Sequence, residues 1–287
     1  MTNHEYLKSL LDNEKIDHTV EETKSTRKEI KDFLINYYSK DKNPDYVYSG
    51  SIAKNTAIKS KYDIDIGILF NNEDFDSLQG MFDDVKAVLK KEYGSASIRE
   101  QNVSIRVQLN SHDIDIVPCR RIDNDKNDVF LHIERTENTR IQSNIHNHVD
   151  IVKNMSELDT IKLLKLWKIQ KAIKFKSFAL ELLVKKAFEN ESKIGLDKKF
   201  EYMMKYIRDN IDTISLVDPS NSNNNVSDSL TDNQKNNIKK YAKRALIAID
   251  NDKYEIVFDN SNGIYTTEDS VKEIKTAYES TEKPWSS

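Results

Sequence analysis

Residues 46–70 read YVYSGSIAKNTAIKSKYDIDIGILF, and the rest of the chain is arranged around this stretch. Its second half alternates with a period of two, which is typical of a β-strand. The apolar face of this strand carries Ile64, Ile66, Ile68 and Phe70. Asp63 and Asp65 share the opposite face, so the strand directs two carboxylates to one point in space. Two carboxylates held that close repel each other unless a cation lies between them, and hard oxygen ligands suit Mg²⁺.

A Gly-Ser turn precedes the acidic strand. Residues 46–49 predict a short strand because aromatic and β-branched side chains dominate them, and Gly50 and Ser51 follow directly. Glycine lets backbone N–H groups approach a phosphate without a side chain in the way, and serine adds a hydroxyl. We therefore expect Gly50 and Ser51 to bind a phosphate.

A second pair of carboxylates lies in a predicted hairpin. Residues 103–109 and 112–118 each alternate between apolar and polar side chains, and an Asn-Ser turn joins them. Asp113 and Asp115 share one face of the returning strand, so the hairpin can bring a third carboxylate beside the first two. A lone Asp-x-Asp pair is usually a solvated strand face. The third acidic strand is what favours a metal site.

These residues resemble the nucleotidyltransferase superfamily of the DNA polymerase β type. The pattern of that superfamily is Gly-Ser, a connector, Asp-x-Asp and later a third Asp before a Val-Pro step. Residues 50–51, 63–65 and the run DIDIVP at 113–118 match this pattern. Asp115 takes the third position because it stands in Asp-Ile-Val-Pro, and Asp113 on the same face is the alternative.

The resemblance implies two-metal catalysis on NTP substrates, ATP among them. Asp63 and Asp65 would bridge two Mg²⁺ ions, for which Mn²⁺ can substitute, and Asp115 would complete the second site. One ion would bind the triphosphate and the other the attacking hydroxyl, which Asp115 would help to lose its proton. The metals then stabilise charge on the attacking and leaving oxygens while pyrophosphate departs.

Three stretches of the second half of the chain extend the resemblance. They are LLKLWK at 163–168, SFALELLV at 177–184 and DPSNSNNNV at 218–226. These stretches are similar to segments of oligoadenylate synthetases and of the bacterial cGAS–DncV-like nucleotidyltransferases, the CD-NTases. In those enzymes a helix lysine and a serine hold the donor triphosphate, and an aromatic residue stacks on the base.

By that resemblance, Lys165 matches the lysine, Ser177 the serine and Phe178 the position that is usually tyrosine. Phe178 keeps a stacking face but lacks the hydroxyl. Each residue also has a structural interpretation, in which Lys165 is solvated, Ser177 is a helix N-cap and Phe178 is a core residue. Residues 218–226 are predicted to form a loop that buttresses the cleft.

The resemblance implies an α+β fold, in which a polymerase β-like mixed sheet with helices is joined to an all-helical lobe. Residues 1–155 are expected to form the N-terminal helices and the catalytic core. Residues 156–287 are expected to close over the nucleotide, in a bilobal molecule with its active site in the cleft. Thr231 and Gln234 predict a capping box at the last long helix, and residues 254–258 predict a strand.

The composition excludes several classes of protein. A net charge of −4 gives no global basic field for nucleic acid. Cys119 is the only cysteine, which excludes an internal disulfide and a cysteine-based zinc module. No apolar run has membrane-spanning length, and the N-terminus lacks a signal-peptide pattern. A cytoplasmic protein without a membrane partner is expected.

Two basic features leave alternatives open. Arg120 and Arg121 directly follow the third acidic strand, where they would contact nucleotide phosphates or form surface ion pairs. A stripe of positive charge on the last long helix is either a solvated face or a surface where RNA binds and activates the enzyme. The stripe consists of Lys235, Lys239, Lys240, Lys243 and Arg244.

Together these features favour a bacterial CD-NTase that joins NTPs into a cyclic or linear oligonucleotide second messenger for antiphage defence of the CBASS type. One alternative is a nucleotidyltransferase that modifies RNA or tRNA ends, but 287 residues leave little room to hold a tRNA. The other is a non-catalytic relative that binds nucleic acid. The three intact carboxylates argue against it.

Overall fold

The computed structural model describes residues 1–16, 18–110, 112–124, 126–133 and 140–259, with the backbone alone for 18–23. The described chain divides into two compact units. The sheet unit comprises residues 13–158 and 217–226, and the helical unit comprises residues 1–12, 159–216 and 227–259. The domain limits predicted from the sequence, 1–155 and 156–287, stay a prediction.

The secondary structure is mixed. In chain order, the helices of the described residues are α1 (Asn3–Asn13), α2 (His18–Tyr38), α3 (Gly50–Ala53), α4 (Leu78–Tyr93), α5 (Ile145–Lys153), α6 (Leu158–Gln170), α7 (Ser177–Ala187), α8 (Leu196–Asn210), α9 (Asp232–Asp250) and α10 (Tyr254–Val257). The strands are β1 (Asp45–Ser49), β2 (Ile64–Phe70), β3 (Ile98–Glu100), β4 (Ile105–Leu109), β5 (His112–Arg121), β6 (Val129–His132), β7 (Arg140–Ser143), β8 (Val217–Asp218) and β9 (Asn221–Asn225). Within this part of the chain, no helix has the length and apolar content that crossing a bilayer requires.

The sheet unit is built on one mixed sheet with the order β1-β2-β5-β4-β3, and β6 and β7 extend it from β5. β2 and β5 run parallel, whereas β1 with β2 and β4 with β5 run antiparallel. The predicted hairpin of β4 and β5 is present, and the α+β fold is confirmed. The parallel pairing places Asp65 directly opposite Asp115.

The apolar face of the sheet packs against α2 and α4. Alternate residues of the two parallel strands are almost fully buried, namely Ile64, Ile66, Ile68, Phe70, Ile114 and Ile116. Burying each such side chain contributes about 1.5–3 kcal/mol relative to leaving it exposed. Ser77 is the N-cap of α4, where its hydroxyl accepts a hydrogen bond from the Gly80 amide, and Gly94 is the C-cap. The acidic residues of β2 and β5 therefore stand on a firmly packed platform.

The prediction of a loop over residues 218–226 is wrong, because β8 and β9 form a short hairpin there. The buried side chain of Asp218 contacts polar groups of the hairpin and of α5. One Asp218 oxygen accepts a hydrogen bond from the Ser220 amide and lies 2.6 Å from His148 Nε2. The other accepts from Asn224 Nδ2. These contacts satisfy the polar groups of a turn-forming sequence and hold the hairpin in the sheet unit.

The helical unit contains α6 to α10 and the first residues of the chain. Leu7 is fully buried in it, and the Leu196 amide donates to His4 Nδ1. The predicted capping box of Thr231 and Gln234 is confirmed at the start of α9. The strand predicted for residues 254–258 is wrong. Tyr254, Val257 and Phe258 are buried at helical spacing, and the segment forms α10.

Candidate active site

The Gly-Ser turn lies against the acidic strand. Gly50 has a φ of 70°, in the left-handed region, and begins α3 directly after β1. A Cβ at this position would lie 1.7 Å from Asp65 Oδ2. No residue except glycine fits, because both the backbone angle and the space exclude a side chain. Gly50 therefore lies against Asp65 in the sheet unit, and Ser51 follows it in α3. Phosphate binding by Gly50 and Ser51 stays a prediction.

The three predicted metal ligands also belong to the sheet unit. Asp63 immediately precedes β2, Asp65 lies within it, and Asp115 faces Asp65 across the parallel pairing. Asp113 lies two residues before Asp115 and shares its face of β5. The structure thus brings the predicted carboxylates to one end of two neighbouring strands.

A guanidinium that the sequence analysis missed lies among these carboxylates. Arg106 of β4 donates from Nε and Nη2 to the two oxygens of Asp115, both at 2.8 Å. Its Nη1 donates to Asp113 Oδ2 at 2.9 Å, and its Nη2 lies 3.4 Å from Asp63 Oδ2. Gln101 Nε2 also donates to Asp115 Oδ1, at 3.1 Å. Asp115 is therefore held at both of its oxygens.

The sequence did contain a signal for Arg106. A two-residue turn fixes the register of a hairpin, so counting back from Asn110-Ser111 pairs Arg106 with Asp115. Opposite charges directly across an antiparallel pair attract each other. Alternation alone marks Arg106 only as a polar position of a strand and does not reveal its partner.

The cluster carries more negative charge than its surroundings balance. Burial raises the pKa of Asp65 to about 7, with further increases from Asp115 and Asp63. The side chain is partly exposed, but its carboxylate lies against the Gly50 backbone, where water cannot surround it. Burial also raises the pKa of Asp63, against the lowering effect of Arg106. An added cation would relieve this excess.

The raised pKa of Asp65 predicts that the metal-free protein loses stability as the pH rises. The unfolded chain releases this proton near pH 3.8 and the folded protein only near pH 7. Between these values the unfolded state binds fewer protons, so stability falls across this window and the loss is complete above it. In EDTA, Asp65→Asn should therefore gain stability relative to the parent between pH 5 and pH 8, by roughly 2 kcal/mol after allowing for solvent screening.

Urea unfolding at pH 5 and pH 8 measures this difference. The matched control is Asp76→Asn, which removes an exposed carboxylate outside the cluster and should follow the parent at both pH values. An Asp65→Asn variant whose stability runs parallel to the parent would contradict the prediction.

The lysine and serine predicted to bind the triphosphate belong to the helical unit. Lys165 is buried, and its Nζ lies 2.7 Å from Glu181 Oε1. Lys168, one turn further along α6, donates from Nζ to Ser177 Oγ at 3.0 Å and to the Phe175 carbonyl at 2.9 Å. The lysine beside Ser177 is therefore Lys168. The solvated interpretation of Lys165 is wrong.

Ser177 and Phe178 open α7. The N-cap residue of this helix is Lys176, and its side chain makes no capping hydrogen bond, so the N-cap interpretation of Ser177 is wrong. Ser177 is exposed and Phe178 is half-buried. An exposed hydroxyl beside a partly exposed aromatic ring is a suitable arrangement for a nucleotide.

The two arginines after the third acidic residue make structural contacts. Arg121 forms an ion pair with Asp45 and donates to the Leu69 carbonyl. Arg120 donates to the Phe75 carbonyl. These contacts fasten the end of β5 to its neighbours. The ion-pair interpretation is confirmed for Arg121.

The donor chemistry of the cluster fits a divalent cation, but the side chains do not yet converge on one. Among the residues that the structure describes, no three Asp, Glu, His or Cys side chains are close enough together to hold a metal ion. Hard carboxylate oxygens with unbalanced negative charge are suitable ligands for Mg²⁺.

A Gly-Ser turn packed on Asp-x-Asp, with a third Asp in register on the parallel neighbour, defines a nucleotidyltransferase of the polymerase β type. The sequence pattern of the Second Messenger Oligonucleotide or Dinucleotide Synthetase domain matches residues 1–154. The chain belongs to this family. It is a bacterial CD-NTase, an enzyme that makes oligonucleotide second messengers from nucleotides, and its family implies catalysis with a divalent metal.

Individual relatives agree with this assignment. The chain is 26% identical over 217 residues to the cyclic AMP-AMP-AMP synthase of Escherichia coli strain MS 115-1, which covers 62% of this chain and 67% of the relative. The fold of this chain is similar to that of E. coli MS115-1 CdnC solved with ATP. The TM-score is 0.73, and the identity is 22% over 91% of this chain and 99% of CdnC. The fold is also similar to that of Vibrio cholerae DncV, a cyclic AMP-GMP synthase solved with nonhydrolyzable GTP. The TM-score is 0.60, and the identity is 15% over 83% of this chain and 69% of DncV.

Proposed function

We propose that the chain joins NTPs into a cyclic oligonucleotide and that Asp63, Asp65 and Asp115 are the ligands of two Mg²⁺ ions, for which Mn²⁺ can substitute. The observation that supports this most strongly is the parallel register of β2 and β5, which sets Asp65 opposite Asp115. When bound, the metals would stabilise charge on the attacking and leaving oxygens of the transferred phosphate. We further propose that the messenger serves antiphage defence in the cytoplasm.

The chain's own residues would prepare the reaction in three ways. Gly50, which has no side chain, leaves its backbone open to the triphosphate, and Ser51 adds a hydroxyl beside it. Asp63 and Asp65 stand on the packed strand β2, so their carboxylates are held in place before substrate arrives. Asp115 would take the proton of the attacking hydroxyl once its own oxygens are released from Arg106.

For the triphosphate contact in the helical unit, we propose Lys168 with Ser177 in place of Lys165. The charge of Lys165 is already matched by Glu181 in a buried pair, so turning it to a phosphate would break that pair. Lys168 instead donates to a hydroxyl and a carbonyl, both neutral acceptors. A phosphate oxygen accepts a stronger hydrogen bond from an ammonium than a hydroxyl does. Phe178 is proposed to stack on the base.

RNA activation through the stripe on α9 stays a prediction. Lys239 forms an ion pair with Asp212, and Lys235 donates to the Asp212 carbonyl. Two of the five charges of the stripe are therefore already engaged by Asp212, which follows α8. This supports the solvated-face alternative at these two positions.

Incubation of the chain with α-³²P-labelled NTPs and Mg²⁺ or Mn²⁺ tests the proposed function. We expect small labelled oligonucleotides that keep all of their label after phosphatase treatment, because a ring has no terminal phosphate. A linear product would lose the label of its 5′ end and would correct the proposed ring. Label in added RNA, or no labelled product in any NTP mixture, would contradict the proposal.

A further inference from the structure

Arg106 uses most of the acceptor capacity of Asp115. A carboxylate has about four lone-pair positions. Arg106 Nε and Gln101 Nε2 both donate to Oδ1, and Arg106 Nη2 donates to Oδ2, so three of these positions are taken. Arg106 binds both oxygens of Asp115 through two of its nitrogens, which is the bidentate arrangement that arginine favours. A metal that approached Asp115 would meet both an occupied ligand and a positive charge.

We propose that Arg106 is a positioning residue that acts as the internal counter-cation of Asp115 and competes with the divalent metal for it. In the metal-free enzyme, Arg106 holds Asp115 and limits the repulsion among the carboxylates. When metal binds, Asp115 passes from the guanidinium to the metal. The inference rests on the metal ligands assigned under the proposed function. Because Arg106 competes for Asp115, it raises the metal concentration that is needed before Asp115 binds the metal.

Asp113 supplies the second partner that such an exchange needs. A guanidinium released from Asp115 would otherwise lie near a divalent cation without a nearby anion of its own. Arg106 Nη1 already donates to Asp113 Oδ2 at 2.9 Å, and the Asp113 side chain is 36% exposed whereas that of Asp115 is 11% exposed. Arg106 can therefore remain with Asp113 at the hydrated edge of the cluster. In this arrangement Asp113, the second carboxylate on this face of β5, binds Arg106 and is not a metal ligand.

Mn²⁺ binding to the intact chain, followed by the electron paramagnetic resonance signal of free Mn²⁺ without nucleotide, tests the exchange. Arg106→Lys keeps the charge but cannot hold both oxygens of Asp115. We expect its dissociation constant for Mn²⁺ to be about tenfold lower than that of the parent, since a competing charge-assisted hydrogen bond has been removed. Arg106→Gln should bind Mn²⁺ at least as tightly as Arg106→Lys.

Lys61→Gln is the matched charge control. It removes a positive charge that acts on Asp63, from an exposed side chain with no recorded contact to Asp115. It should change the dissociation constant by less than about twofold, because solvent and salt screen an exposed charge. Asp63→Asn should abolish the site in the parent and in Arg106→Lys.

A second readout guards against variants that are merely less stable. Without metal, Arg106→Lys should melt below the parent, and saturating Mn²⁺ should raise its melting temperature by more than it raises the parent's, because tighter binding to the folded state stabilises it more.

Parental or weaker Mn²⁺ binding by Arg106→Lys would overturn the inference. If Arg106→Gln and Lys61→Gln gained the same affinity for Mn²⁺, net charge alone would explain the effect, and the inference would be overturned as well. If the parent has no Mn²⁺ site that Asp63→Asn removes, the proposed ligand set fails and the inference falls with it.

Discussion

A Lys165→Met variant is expected to lose about 3–5 kcal/mol of its free energy of unfolding while keeping the parent's affinity for NTP. The side chains of Lys165 and Glu181 are only 5% and 2% exposed, and their charged atoms are 2.7 Å apart. Removing the ammonium would take from the buried Glu181 carboxylate the cation that lies against it in the helical unit. The triphosphate contact would be unaffected, since Lys168 and not Lys165 lies beside Ser177.

Lys168→Met should show the opposite pattern. Its ammonium donates to a hydroxyl and a backbone carbonyl in a partly exposed position, so the loss of stability should stay at about 1 kcal/mol. The loss of a charge-assisted contact to the triphosphate should weaken NTP binding about tenfold or more. Urea unfolding and equilibrium binding of a nonhydrolysable ATP analogue to the folded fraction measure both quantities for each variant.

The double variant Lys165→Met/Glu181→Leu is the control for the buried pair. Replacing both charges with apolar side chains of similar size should restore most of the lost stability, because no unpaired charge remains. Weak NTP binding by Lys165→Met at parental stability would return the triphosphate role to Lys165 and contradict the assignment of Lys168.

The acidic strands show how much of the site could be predicted from the sequence. Alternation with a period of two fixes which side chains share a face, and a short turn fixes how two strands pair. Alternation therefore groups Asp63 with Asp65 and Asp113 with Asp115. The resemblance to the polymerase β type implied that Asp115 joins the first pair, and the structure places Asp115 opposite Asp65. Gly50 could be singled out from the sequence because glycine leaves its backbone accessible to a phosphate, but its backbone angle and its approach to Asp65 appear only in the structure.

The choice between Lys165 and Lys168 could not be made in this way. Most residues of α6 are buried, so the helix has no single apolar stripe that would mark its exposed side. The partner of Lys165 comes from another helix, 16 residues away, and local pattern does not reveal it. The hairpin of β8 and β9 was missed for a related reason. Turn-forming residues predict a loop, but a contact from His148, 70 residues away, helps to set the structure of this segment.

Asp63→Asn, Asp65→Asn and Asp115→Asn should each reduce the rate of product formation by roughly a thousandfold or more. Each change removes a hard anionic ligand and leaves a neutral amide of nearly the same shape. The packing beneath β2 and β5 is unchanged, so the variants should remain folded. The labelled-NTP assay measures the rates, and urea unfolding verifies the fold.

Asp113→Asn separates a metal ligand from a neighbouring carboxylate on the same face of β5. If Asp113 holds the guanidinium of Arg106 and not the metal, this variant should need more Mg²⁺ than the parent but should come within about tenfold of its rate when Mg²⁺ is saturating. Asp115→Asn should not recover at any Mg²⁺ concentration, since it lacks the ligand itself. Full activity in Asp115→Asn, together with a loss in Asp113→Asn that Mg²⁺ cannot rescue, would transfer the third ligand to Asp113. Because both side chains now contact Arg106, only their response to metal can tell the two roles apart.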